Sequence, residues 1–260
     1  MDTFVKPERY INDVKIAKAA GQHAMSEYPN ESVGAVVEGV DGLEYLPLEN
    51  VADDPTNAFK VGPRPRCPMW AIIHSHTMAK TTHPSLSDMH SQQASAIPYG
   101  ILHSDGKIFS PVQWFGDELP IQPLIGREFV NGYHDCWTIV RDVHRQFGIV
   151  LENPPRNDNW YHDDPDFNIL KMENFDPIGF VLIKKSEARE GDVVLGKAGR
   201  SSVLNHCGVL AANGLVIHQL GDGPSRRENM TPWWRHIAFV GRHKHFITNP
   251  EIIPKIEFNR

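Results

Sequence analysis

The sequence predicts a two-domain protein of mixed α/β and α+β class, and three observations carry that expectation. The 260 residues are 40% hydrophobic and 22% charged, enough apolar content to pack one large or two modest cores. Helix-like and strand-like patterns alternate up to Ser110, whereas apolar runs of strand length follow one another from Asp192 onward. Between these stretches Pro111, Pro120 and Pro123 mark a connector. The expected divisions are a domain over 1–112, a linker over 113–123 and a domain over 124–260.

The first helix is expected from Glu8 to about Tyr28, because Ile11, Val14, Ala17, Ala20 and Ala24 recur at helical spacing and Pro29 ends the run. Val33–Val37 and Leu43–Leu48 read as strands around the turn signal Asp41-Gly42. Met69–Ser75 is a strongly apolar strand. A polar loop over 77–84 leads to a helix from Ser87 to about Ala96, with Ser85 or Ser87 as N-cap. Tyr99–Leu102 and Lys107–Ser110 flank Ser104-Asp105-Gly106 as an expected hairpin. In the second half, Cys136–Phe147 reads as a helix with Gly148 at its end. A Pro/Asn/Asp-rich loop over 153–166 and a short helix over 168–175 follow. Val193–Leu195, Cys207–Leu210, Leu215–His218 and Ile237–Val240 then read as strands, with Asn213-Gly214 as a hairpin turn.

Composition excludes several classes. A formal charge of -6 argues against specific nucleic-acid binding or an electrostatic grip on anionic lipid. No run approaches the ~18 apolar residues of a membrane span, so no membrane insertion is expected. The first ten residues show no basic segment followed by an apolar one, so no secretory signal is expected. Three cysteines are too few for a disulfide scaffold and fit a reducing compartment. Fourteen histidines are the anomaly, and they direct attention to metal and acid–base sites.

Two constellations use those histidines. His74 and His76 end the apolar strand two residues apart, so both imidazoles point to one side. Asp88, at the start of the next helix, supplies a third ligand. Two His and one Asp leave a tetrahedral zinc with an open position for water, the catalytic rather than the structural kind of site. Glu31, just before the strand Val33–Val37, is placed to take up a proton there, and Ser85 to donate to a developing oxyanion. In the second constellation, Cys136 opens a helix, whose N-terminus favours thiolate. His206 and His218 begin and end neighbouring strands, where one can act as base and the other orient it. Cys207, next to His206, reads as core. Trp233-Trp234 reads as packing, and Arg226-Arg227 as a solvated turn.

The string of Glu31-Ser32, His74-Ser75-His76 and Pro84-Ser85-Leu86-Ser87-Asp88 resembles the JAMM motif of the MPN metallopeptidases, with Thr77 where proline is usual. The resemblance implies a layered, cytidine-deaminase-like MPN domain, zinc on His74, His76 and Asp88, Glu31 as general acid/base and Ser85 assisting. Gly126-Arg127-Glu128-Phe129, Tyr133-His134-Asp135-Cys136, Asn205-His206-Cys207-Gly208-Val209 and Ile217-His218 resemble the NlpC-type cell-wall cysteine peptidases. That resemblance implies a papain-like domain with Cys136 as nucleophile, His206 as base, His218 as orienting residue and peptidoglycan stem peptides as substrate. Departures are Trp137-Thr138 after the cysteine and Phe129 where many members carry tyrosine. The pairing of the two modules resembles the tail-tip assembly proteins of lambda-like siphophages. It implies other tail-tip proteins as partners, the host cytoplasm during assembly and a place at the virion tail tip. Two alternatives accompany it: a structural tip component with partly vestigial sites, and a cytosolic JAMM isopeptidase.

Overall fold

The computed structural model describes all residues except 1–4, 64, 78–80, 158–159, 161–167, 222, 253, 257 and 259–260. The chain divides into two units, Met1–Pro120 and Ile121–Arg260.

In the front unit, helix α1 spans Val14–Glu27. It starts later than the periodicity suggests because the Asp13 carboxylate caps it, accepting from Lys15 N and Ile16 N at 2.7 and 3.2 Å. The buried face is Ile16, Ala20, Gly21 and Ala24, whereas Val14 is exposed. Small residues on that face allow close approach: a Cβ on Gly21 would lie 2.3 Å from the Phe109 ring. The sheet has the order β2-β1-β3-β4-β5. Its strands are β1 (Val33–Gly39), β2 (Gly42–Leu48), β3 (Met69–Thr77), β4 (Tyr99–Ser104) and β5 (Gln113–Phe115). Only β3 and β4 run parallel, and helix α2 (Leu86–Ser95) lies in the crossover between them, as parallel pairing requires. Ile16, Ala20 and Ala24 pack with Val36, Ala71, Ile73 and Leu102 to form the core.

Two expectations fail here. Lys107–Ser110 contributes a single bridge, Ser104 to Phe109, because the Asp105 carboxylate takes up the Lys107 and Ile108 amides in a local turn. Strand β5 pairs with β4 instead, so residues 113–115, placed in the linker by sequence, belong to the first sheet.

The rear unit is a six-stranded sheet of order β10-β9-β8-β7-β11-β6, antiparallel throughout. The strands are β6 (Phe180–Ile183), β7 (Val193–Gly196), β8 (His206–Ala211), β9 (Leu215–His218), β10 (Arg226–Asn229) and β11 (Ile237–His243). Helix α3 (Cys136–Arg145) buries Ile139, Val140 and Val143 against Val193, Leu195, Val209 and Ile217. A short helix α4 (Lys244–Thr248) follows β11. Sequence missed β6, β10 and α4, which are short and poorly patterned. Arg226-Arg227, read as a solvated turn, forms part of β10, where Arg227 lies over the Phe258 ring. The helix expected over 168–175 is reduced to a 3-10 turn at Met172–Asn174. Most of the loop expected over 153–166 lies outside the described residues, as do positions 78–80 of the loop before α2. Among the described residues no helix is long and apolar enough to cross a membrane.

Candidate functional site

Each unit carries one cluster of chemistry. In the front unit, β3 brings His74 and His76 to one face, and both are buried. Helix α2 begins with a capping box: Ser85 Oγ accepts from Asp88 N at 3.2 Å, and Ser85 N donates to Asp88 Oδ2 at 2.8 Å. That box aims the Asp88 carboxylate back at β3. Its oxygens lie 3.4 Å from His74 Nε2 and 3.4 Å from His76 Nε2, and the two Nε2 atoms are 3.3 Å apart. These three donors are the metal-ligand cluster found among the described residues.

The donor chemistry fits a cation. His76 Nδ1 donates to the Thr81 carbonyl at 2.6 Å, so in the neutral ring the Nε2 lone pair faces inward. Two imidazole nitrogens and a carboxylate then converge among buried residues, a donor set of the kind that holds a divalent cation. Burial alone would lower the proton affinity of His76, but Asp88, the Thr81 carbonyl and Glu31 outweigh it and hold it raised. Burial would likewise raise Asp88, but His74, His76 and Ser85 hold its carboxyl far below the usual range. Glu31 is buried ahead of β1, where Val33 stands opposite His74, and its charge reaches His76. Ser85 Oγ donates to Asp88 Oδ2 at 2.7 Å, so its hydroxyl is engaged in orienting the Asp88 carboxylate.

In the rear unit, Cys136 is the first residue of α3, which Asp135 and Thr138 cap reciprocally. His206 begins β8 and His218 ends β9, on the paired strands that the Asn213-Gly214 turn joins. His206 Nε2 meets His218 Nδ1 at 2.8 Å, and His218 Nε2 meets Glu228 Oε1 at 2.5 Å. These contacts fix the tautomers. The Glu228 carboxylate only accepts, so His218 carries its proton on Nε2. Burial, then His206, push His218 down to about 4, so it is neutral at pH 7 and its Nδ1 accepts. His206 therefore donates from Nε2, and its Nδ1 lone pair is left for the thiol. Cys136 hydrogen-bonds both Cys207 and His206; Cys207 foremost, with His206, brings it down to about 5 against burial and the charge of Asp135. Cys207 is core, as its burial shows, yet its thiol touches that of Cys136, a contact that strand alternation alone did not suggest. Burial pushes Cys207 up, so it stays protonated.

The sequence reading also missed Glu228 and the part played by Trp233. The Trp233 ring packs on His218 and His206, and its Nε1 donates to Glu228 Oε1 at 3.1 Å. The spacing of His218 and Glu228 across the β9–β10 pairing could have been found only if β10 had been recognised. A cleft of about 230 Å³ opens beside Cys136 and His206, with Phe129, Trp137 and Trp160 among its walls. Tyr133, the nearest tyrosine in sequence, stacks on His134.

Residues 126–242 match the NlpC/P60 family, and the rear unit carries an NlpC/P60 domain. The chain is similar to tail tip assembly protein K of Escherichia phage N15, 29% identical over 228 residues, spanning 85% of this chain and 90% of that protein. It is also similar to tail tip assembly protein K of Escherichia phage lambda, 33% identical over 122 residues, spanning 46% of this chain and 59% of that protein. Among solved structures, NlpC1 from Trichomonas vaginalis matches at 15% identity and a TM-score of 0.34, covering 46% of this chain and 40% of that one.

Proposed function

We propose that this NlpC/P60-domain chain works at a phage tail tip as a cysteine peptidase on peptidoglycan stem peptides, joined to a metal-dependent hydrolase module of MPN type. The observation that carries the reading is the Cys136–His206–His218–Glu228 relay at the edge of a cleft. Similarity to the two tail tip assembly proteins supports the setting, with other tail-tip proteins as partners.

His206 takes the Cys136 proton on Nδ1 and becomes imidazolium, stabilised through Nε2 by neutral His218, which Glu228 holds in place. The thiolate attacks the peptide carbonyl, and we assign stabilisation of the oxyanion to the amide N–H groups at the start of α3. His206 then returns its proton to the leaving amine, and water deprotonated by His206 cleaves the resulting thioester, releasing the carboxylic acid and restoring Cys136. In the front unit, His74, His76 and Asp88 would hold zinc, which supplies a Lewis acid for hydrolysis. Ser85 fixes the orientation of Asp88, and Glu31, buried ahead of β1, is the residue we assign to carry the proton in that hydrolysis.

A zymogram on purified sacculi tests the cysteine half. Clearing by the intact chain that disappears with Cys136→Ala is expected. Absence of clearing by the intact chain would turn the reading toward a structural assembly component.

A further inference from the structure

Arg156 is a charged side chain with 1% of its surface exposed, and it sits in the cleft lining beside Asp135, Cys136 and His206. Its stretch of sequence, Asn153-Pro154-Pro155-Arg156, gave no hint of a buried role. Arg156 Nε and Nη2 donate to Asp135 Oδ2 at 3.0 and 2.5 Å. Nη1 donates to Asn153 Oδ1 at 2.8 Å and the Pro154 carbonyl at 2.7 Å. Asp135 Oδ2 also accepts from Gly132 N at 2.9 Å, while Oδ1 caps α3 through Thr138 N at 3.0 Å.

The groups around the Cys136 sulfur come from four places: the start of α3, β8, β9 and the loop that carries Arg156. Asp135 precedes it on its own helix, and Cys207 and His206 face it from β8. His218 stands behind His206 on β9, and Arg156 reaches Asp135 from the loop. A buried carboxylate next to a thiolate is a like-charge pair, and a like charge opposes ionisation. The cap presents a buried carboxylate and the reaction needs its thiol charged, one residue apart.

We propose that Arg156 is a positioning residue of the cysteine site, whose guanidinium neutralises Asp135 so that the helix cap and the Cys136 thiolate stay charged side by side. The proposal rests on the reading of Cys136 as nucleophile, but its test needs no turnover, so failure to cleave sacculi leaves it decidable.

The measurement is the rate at which 2,2′-dithiodipyridine labels Cys136 in the full chain as a function of pH, followed by mass of the Cys136 peptide. Arg156→Met is expected to raise the midpoint by about one unit or more, the scale of an unshielded neighbouring charge. Arg156→Lys recovers part of that shift, since it keeps the charge and loses the fork. Asp135→Asn, which retains a good helix cap, lowers the midpoint below that of the native chain, because Arg156 is then uncompensated. The double variant Asp135→Asn with Arg156→Met returns close to the native midpoint. A residue that only held the fold together would not be rescued in that way. An unchanged midpoint in Arg156→Met, or a double variant as high as Arg156→Met, overturns the proposal. Should Arg156→Met fail to fold, Asp135→Asn decides alone: a midpoint that stays or rises sinks it.

Discussion

At the scale of single residues, the cysteine site is a chain of proton positions, each set by the next. Glu228 accepts from His218, His218 accepts from His206, and His206 pairs with Cys136 and favours its thiolate. Removing a link misplaces the proton on the one before it. His218→Ala is expected to lower kcat/KM on a stem tripeptide by about 10²-fold, the usual worth of a positioned acid–base group. Glu228→Gln keeps an acceptor without the charge, so its loss should be smaller, with KM nearly unchanged. Equal activity of Glu228→Gln, Glu228→Ala and the native chain would remove Glu228 from the relay. Cys207 belongs to the same scale. A core thiol that donates to Cys136 brings that buried thiol down to about 5 instead of the ordinary thiol range.

At the scale of elements, the site depends on how closely β8 and β9 run. Gly208 pairs with His218, and a Cβ added there would lie 2.8 Å from the Ile217 carbonyl oxygen and 3.1 Å from the His218 Cβ. Gly208→Ala should therefore push β9 outward at the residue that orients His206. Expected are a stability loss of about 1–3 kcal/mol, typical of overpacking, and a fall in kcat beyond the stability effect, read from urea melts and tripeptide hydrolysis. Normal kcat in a folded Gly208→Ala chain would mean the strand spacing is not what sets the relay. In the front unit α2 plays the corresponding part: the box that starts the helix is also what points Asp88 at His74 and His76.

At the scale of the whole molecule, each site is built from residues of a single unit, so each can be counted and titrated separately. Zinc-loaded protein should carry about one zinc per chain, and His74→Ala or Asp88→Ala should fall below about 0.2, because loss of one of three protein ligands opens the site. Elemental analysis after gel filtration decides this, and native-like zinc content in both variants would dismiss the cluster. Acid tests the rear unit. His144 is fully buried against Phe180 and Phe246, with Nδ1 bonded to the Val140 carbonyl at 2.7 Å, and burial pushes it down to about 4. Its unfolded value is near 6.5, so between those values the unfolded chain binds a proton that the folded chain refuses. Stability is thus intact above about 6.5 and lost as pH falls toward 4, by roughly 2 kcal/mol between pH 7 and 5. His134 and His218, also pushed down to about 4, add slopes of the same sign. Urea midpoints of His144→Leu should fall less over that range than those of the native chain; parallel slopes would show that His144 is not the group responsible.

The sequence by itself determined the strands and helices with strong period or strong caps: β1 to β4, β7 to β9, β11, α2 and α3. It also nominated both candidate clusters, because the residue types able to serve as metal ligands or nucleophiles have informative local spacing. Only tertiary structure decided what lies around them. The short strands β6 and β10 gain their hydrogen bonds from neighbours distant in sequence, and carry little periodicity of their own. Glu228 joins the relay through one such pairing, Cys207 meets Cys136 because α3 packs on β8, and Arg156 reaches Asp135 from a loop. Charge neutralisation and proton placement act through space over a few ångströms, and no spacing along the chain encodes which distant residues will meet at that range.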